Sequence, residues 1–286
     1  MSPLRQRMSD AMQQRGFAAC TQDSYISAIY RMARYYRRDP AVYSVSEVQS
    51  YLLHMVKERR LSYSTMNVSA CACRFLYEVV LRHEREVFHI PMAKVPAVQP
   101  ELLSRHEIAR LFAACSSPVH RMLLQTMYAT GLRVSEACAL RVKDIDSAPD
   151  RMCIRVEHGK GGHTRYALLP VTLLAYLRAY VRNTTSRDWL FCNRFNTQPV
   201  SLKTAQMAYY GARFRAGITK SGGIHTLRHD FATHLLEGGT DLFTIQKLMG
   251  HGHIGTTSRY LRLISPQFRA PKNIDPLDLL AGLPKL

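Results

Sequence analysis

The chain has 286 residues, 47% of them hydrophobic and 21% charged, which excludes a wholly disordered polypeptide and suits one large or two modest domains. Lys and Arg number 39 against 21 Asp and Glu, a net charge of +18, and both parts share it: residues 1–100 carry 14 bases and 8 acids, residues 101–286 carry 25 and 13. No apolar run approaches the ~18 residues of a membrane span, Met1–Arg5 does not open an apolar leader, and seven irregularly spaced cysteines disfavour a disulfide scaffold and favour a reducing cytoplasm. Thirty of the 39 bases are Arg, whose planar fork suits phosphate, so the expected partner is a polyanion, most simply nucleic acid.

The first hundred residues read as helices. Thr21 caps a segment with Tyr25, Ile29, Met32 and Tyr36 at helical spacing, and Asp39-Pro40 ends it. Ser46 and Glu47 open a second helix carrying Val48, Leu52, Leu53 and Val56. Ser62 or Ser64 opens a third, through Met66, Ala70, Cys73, Phe75, Leu76 and Val80. These stripes predict a helical bundle core. Tyr30 and Tyr35 belong either to that core or to a DNA-backbone contact. Cys71 and Cys73 have no second pair at zinc spacing.

Residues 90–100 hold three prolines and no helical pattern, as an interdomain linker does. Ser104 and Glu107 then form a capping box that starts a new helix. The rest is mostly helical, with one exception. Arg151–Glu157 and His163–Leu169 alternate like strands around a glycine-rich turn, which predicts a β-hairpin with Lys160 near its tip.

Four segments concentrate chemistry: Ala129–Glu136 around Gly131 and Arg133, the hairpin with Lys160, Gly222–Asp230 with His225 and Arg228 three apart on a helix face, and Leu248–Leu261 with His251 and Tyr260. Singly each is weak. Arg133 and Lys160 read equally as solvated side chains, and His229 and His234 as helix-packing histidines. The spacing of His225, His229 and His234 suggests zinc, but no HExxH glutamate accompanies it.

Together, Arg133, Lys160, His225-Thr-Leu-Arg228, His251 and Tyr260, nine residues after His251, resemble the tyrosine recombinases of the phage integrase family in identity and order. The flanking Ala-Thr-Gly-Leu-Arg-Val-Ser-Glu, His-Thr-Leu-Arg-His-Asp-Phe-Ala-Thr-His and Leu-Met-Gly-His match as well. The resemblance implies a mainly α fold with a small β-hairpin. Residues 1–90 form a helical, SAM-like core-binding domain, 91–102 a linker, 103–272 the catalytic domain and 273–286 a tail that docks on itself or in trans, the two domains closing as a C-shaped clamp on DNA.

The implied activity is site-specific recombination through a 3′-phosphotyrosine and a Holliday junction. Tyr260 is the implied nucleophile. Arg133 and Arg228 hold the phosphate oxygens, His225 and His251 serve hydrogen bonding and proton traffic, and Lys160 is the general acid, helped if neighbouring arginines depress its pKa. No cofactor and no metal are implied. The implied partners are double-stranded DNA with a specific site and further copies of the chain, a dimer per site and a tetramer in the synapse, or a paralogous recombinase, with no membrane. The chain opens almost directly on the core-binding helices and residues 170–222 look compact, as in two-domain recombinases of the Xer or transposon-associated sort. Two readings compete: a type IB topoisomerase-like enzyme and a catalytically silent DNA-binding accessory protein. Glu136 is expected to orient the Arg133 helix, Asp230 to cap or pair locally, and Tyr209 and Tyr210, with Arg213 and Arg215, to face phosphates or plain solvent.

Overall fold

The computed structural model describes residues 2–84, 89–95, 99–157, 164–184, 188–250 and 254–263. The chain divides into two compact units, Met1–Val98 and Gln99–Leu286. Both are helical apart from one small sheet in the second.

The first unit packs α1 (Pro3–Gln14), α2 (Ala19–Tyr36), α3 (Val45–Lys57) and α4 (Tyr63–Arg74). Helix α1, in an Arg- and Gln-rich stretch, precedes the first helix that the spacing marks. Ser2 caps it, Pro3 occupies its first turn, and Met8 and Met12, one turn apart, are 1% and 0% exposed. Burying each methionine contributes roughly 1.5–3 kcal/mol, more than the ~1 kcal/mol of the cap. Helix α2 begins two residues before Thr21, with Ala18 at its cap position and no side-chain cap. Helix α3 is capped by Ser44, not Ser46, because Glu47 stands three residues after Ser44 and closes a capping box. Ser62, rather than Ser64, caps α4. Leu53 leaves the predicted stripe and is 50% exposed, while Tyr51 takes a core position. Tyr36 and Tyr43 are anchored by hydroxyls donated to the carbonyls of Glu47 (2.8 Å) and Arg38 (2.6 Å). Tyr30 and Tyr35 are exposed.

Helix α4 continues into a π-helical turn, Phe75–Val80, where the Leu81 amide bonds the carbonyl of Leu76, five residues back, at 2.9 Å. The proline-rich segment after it is fastened at both ends. Ile90 is buried in the first core, and Asn67 exchanges two hydrogen bonds with the Ala93 backbone, at 2.8 and 2.9 Å. On the far side Glu101 accepts from Ser221, and Lys220 donates to the Leu102 carbonyl at 2.8 Å.

The second unit runs through α5 (Arg105–Ala113), α6 (Pro118–Thr130), α7 (Val134–Cys138), β1 (Ile145–Asp146), β2 (Cys153–Val156), β3 (Arg165–Leu168), α8 (Val171–Arg182), α9 (Leu202–Arg215), α10 (Thr226–Glu237), α11 (Leu242–Met249) and α12 (Ile254–Thr257), ending in a 3₁₀ segment, Ser258–Arg262. The capping box of Ser104 and Glu107 starts α5. The strands are antiparallel in the order β1-β2-β3, with Cys153 opposite Leu168 and Val156 opposite Arg165. The hairpin's strands are shorter than their alternation suggested, and β1 is an addition. The turn bearing Lys160 lies outside the described residues. The main core gathers Leu111, Leu123, Met127, Leu132, Ile154, Phe191 and Leu227. A smaller cluster, Phe231, Ala232, Ile245, Met249 and Tyr260, joins α10, α11 and the 3₁₀ segment.

Candidate active site

Helix α6 ends at Gly131, whose φ of +64° reverses the chain. That conformation and a close neighbour both require glycine, since a Cβ would lie 2.5 Å from Cδ1 of Phe231. The reversal puts Arg133 at the cap of α7. Its backbone N–H donates to Oε2 of Glu136 and its guanidinium to Oε1, each at 2.8 Å. The Arg133 side chain keeps 26% of its exposure while that of Glu136 keeps 3%. Arg165, at the start of β3, donates to the same Oε2 at 2.7 Å. Burial alone would raise the Glu136 pKa, but the Arg133 N–H and the two guanidiniums hold it below the usual carboxylate range.

Arg228 projects from the first turn of α10 and is 5% exposed. It donates to the Gly131 carbonyl at the end of α6 and, at 2.6 Å, to the Met249 carbonyl at the end of α11. Helix C-termini carry partial negative charge, so these two ends suit a buried cation. Burial, then repulsion from Arg133, lowers its pKa to about 10, which leaves it charged at neutral pH.

His225 stands at the cap position of α10, at the solvent edge of the site. Desolvation by its packed surroundings, with the charges of Arg228 and Arg133, lowers its pKa and favours neutral imidazole. The loop before it is tethered from α9: Arg213 donates to the Gly222 carbonyl at 2.6 Å, and a Cβ on Gly223 would lie 3.2 Å from the Tyr210 hydroxyl oxygen. Tyr209 is buried at 1%. Tyr209 therefore faces neither phosphate nor solvent, the two alternatives expected for its helix, and serves the core because its side chain points inward from α9.

Tyr260 is 3% exposed within the smaller cluster, and its hydroxyl lies 3.2 Å from Nδ1 of His229. Arg133, His225, Arg228 and Tyr260 thus converge around the ends of α6 and α11 and the start of α10. Lys160 and His251 lie outside the described residues. His229, expected only to pack, touches the Tyr260 hydroxyl. His234 lies 3.0 Å from the Tyr128 hydroxyl, away from the other histidines' contacts. Among the described residues no group of three His, Cys, Asp or Glu is placed to hold a metal ion.

Asp230 departs from its expected local role. Wholly buried, it accepts the Leu103 N–H at 2.9 Å, which fixes the segment before α5 to α10. A partner 127 residues away in sequence leaves no local signal. Arg165 was legible only as a strand residue.

Residues 101–265 match the phage integrase family and residues 4–86 its N-terminal SAM-like domain. The chain belongs to the phage integrase family. Members of this family, the tyrosine recombinases, are enzymes that cleave and rejoin DNA in site-specific recombination. The chain is 36% identical over 283 residues to y4qK of Sinorhizobium fredii, which carries an integrase/recombinase name, covering 98% of this chain and 90% of the relative. It is 33% identical over 241 residues to the tyrosine recombinase XerA of Pyrococcus furiosus, covering 81% of each. Among solved structures the fold matches a lambda integrase tetramer bound to a Holliday junction, with a TM-score of 0.76 at 18% identity over 96% of this chain and 79% of that one. It also matches residues 82–397 of the Tn1549 transposon integrase in complex with circular intermediate DNA, with a TM-score of 0.72 at 17% identity over 96% and 98%. No helix among the described residues is long and apolar enough to cross a membrane.

Proposed function

We propose that this recombinase breaks a DNA strand by attack of the Tyr260 hydroxyl oxygen on a phosphorus atom. The bond to the 5′-oxygen breaks, and a 3′-phosphotyrosine keeps the phosphodiester's energy. Attack by a 5′-hydroxyl from a second strand reverses the step. Two such exchanges pass through a Holliday junction. The observation that carries this reading is the convergence of Arg133, His225, Arg228 and Tyr260 from three separated segments. Phosphoryl transfer is catalysed mainly by positioning and electrostatics. Arg228 is fixed by two carbonyls and Arg133 by Glu136, so both guanidiniums await the phosphate with little reorganisation left to make. Neutral His225 bonds a phosphate oxygen. Lys160 protonates the departing 5′-oxygen, and His251 adds a further hydrogen bond.

In this reading residues 1–90 are the core-binding domain, 91–102 the linker, 103–272 the catalytic domain, and 273–286 a C-terminal tail that docks on its own domain or in trans. The partner is double-stranded DNA, with dimers on a site and tetramers in the synapse. The net charge of +18 and its even spread support a steep loss of affinity with salt. Seven free cysteines suit a reducing cytoplasm.

Covalent trapping tests the reading. Wild type and Tyr260→Phe are incubated in EDTA with a nicked suicide duplex carrying the candidate site. A denaturation-resistant protein–DNA band is expected from wild type alone. A band that persists in Tyr260→Phe overturns the nucleophile. Tight binding with no band from either protein points to a silent DNA-binding protein, and relaxation of supercoils without a specific site points to a topoisomerase.

A further inference from the structure

Resting on that reading, we infer that Arg165 is a positioning residue that sets the geometry of Arg133 through Glu136. Arg165 is hydrogen-bonded to two parts of the site at once and packs against a third residue. One arm donates to Oε2 of Glu136 at 2.7 Å. The other donates to the Leu248 carbonyl at 3.2 Å, near the end of α11. Its stem lies over Gly250, where a Cβ would come within 2.5 Å of Cδ and 2.9 Å of Nε. The side chain is 15% exposed, so its partners are these groups rather than water.

Sharing the carboxylate shapes what Arg133 does. Glu136 Oε2 accepts the Arg133 backbone N–H and the Arg165 guanidinium, and Oε1 accepts one Arg133 nitrogen. With Oε2 filled, Arg133 cannot close the two-pronged pair with Glu136 that an arginine and a carboxylate otherwise favour. One guanidinium nitrogen is held by Oε1, and the side chain, 26% exposed, keeps the rest of its fork for a phosphate. The second guanidinium also keeps the buried Glu136 ionised. Without Arg165, Glu136 holds Arg133 by both oxygens and draws it back.

The test compares single-turnover covalent cleavage of the suicide duplex and DNA affinity for Arg165→Gln, Arg165→Lys, Glu136→Gln and the double variants, with Tyr260→Phe as control. Arg165→Gln is expected to slow cleavage roughly 10- to 100-fold, as small misplacements of a catalytic group do, with unchanged DNA affinity. Arg165→Lys recovers part of the rate, because one ammonium reaches Glu136 but not Leu248 as well. Adding Arg165→Gln to Glu136→Gln slows cleavage no further. Wild-type cleavage by folded Arg165→Gln overturns the inference, as does a loss confined to affinity or a double variant whose defects multiply. If Arg165→Gln does not fold, Arg165→Lys in the Glu136→Gln background decides: no further change supports the coupling and a multiplied defect overturns it. Absence of a wild-type adduct overturns the proposed function itself, a result distinct from all of these.

Discussion

Arg228 and Asp230 stand two residues apart on α10, 5% and 0% exposed, yet reach opposite charge states at neutral pH. Burial pushes both toward their neutral forms. Arg228 starts from 12.5 and is lowered only to about 10, with carbonyls from two helix ends around it. Asp230 starts from 3.8 and is raised to about 8, since the single N–H of Leu103 and the charge of Lys220 do not offset the burial. Among the described residues its second oxygen has no hydrogen-bond partner. One helix therefore carries a cation on its site-facing side and a neutral carboxyl on the side that fastens the incoming chain. On this helix the buried charge survives where two helix-end carbonyls converge on it, and Asp230, with one N–H donor, stays neutral.

The largest effect expected from that contrast is on Arg228. Arg228→Lys keeps the charge but loses the fork that spans Gly131 and Met249. Suicide-substrate cleavage is expected to fall roughly 100- to 1,000-fold, the range for losing one preorganised donor, and near-normal cleavage would show the fork to be dispensable. Next comes the turn that supplies the Gly131 acceptor. Gly131→Ala drives a Cβ into the Phe231 ring, at a cost of about 1–3 kcal/mol for overpacking, and the positive φ adds strain. Denaturant melts should show the stability loss together with slower cleavage, since the acceptor of Arg228 moves. An unchanged melt would mean that the ring yields freely.

The smallest effect concerns Asp230. A carboxyl whose folded pKa lies above its unfolded value holds a proton that the unfolded chain releases. Its contribution is full below the unfolded pKa of 3.8 and is lost as pH rises toward about 8. Asp230→Asn keeps an acceptor for Leu103 and cannot titrate. Melting temperatures at pH 5 and pH 8 should show the variant gaining on wild type as pH rises. Parallel pH dependence in the two proteins would show Asp230 to be ionised at both values.

Much of the site was legible because its segments carry chemistry in short words. Gly131 precedes Arg133, and His225 and Arg228 share one helix face, so local spacing reported local geometry. The hairpin was legible from alternation and the start of α5 from its capping box. Arg165, Asp230 and His229 were not, because each acts through a partner remote in sequence: Leu248 and Glu136, Leu103, and Tyr260. Helix α1 escaped because two methionines supply its buried face in an otherwise polar stretch. Leu53 misled because a stripe wider than the contact surface leaves one member outside.

The π-helical turn at Phe75–Val80 bears on how related chains should be aligned. Phe75, Leu76 and Tyr77 are consecutive and all buried, together with Val80. An ordinary α-helix fans three successive side chains over most of its circumference, but a wider turn brings them nearer one side. A wider turn uses about one residue more than an α-helical one, so a relative that ends this helix in ordinary α-helix needs one residue fewer to bury the same face. A single-residue gap belongs inside this helix, where alignment habit would move it into a loop, and misplacing it shifts every residue between the gap and that loop out of correspondence.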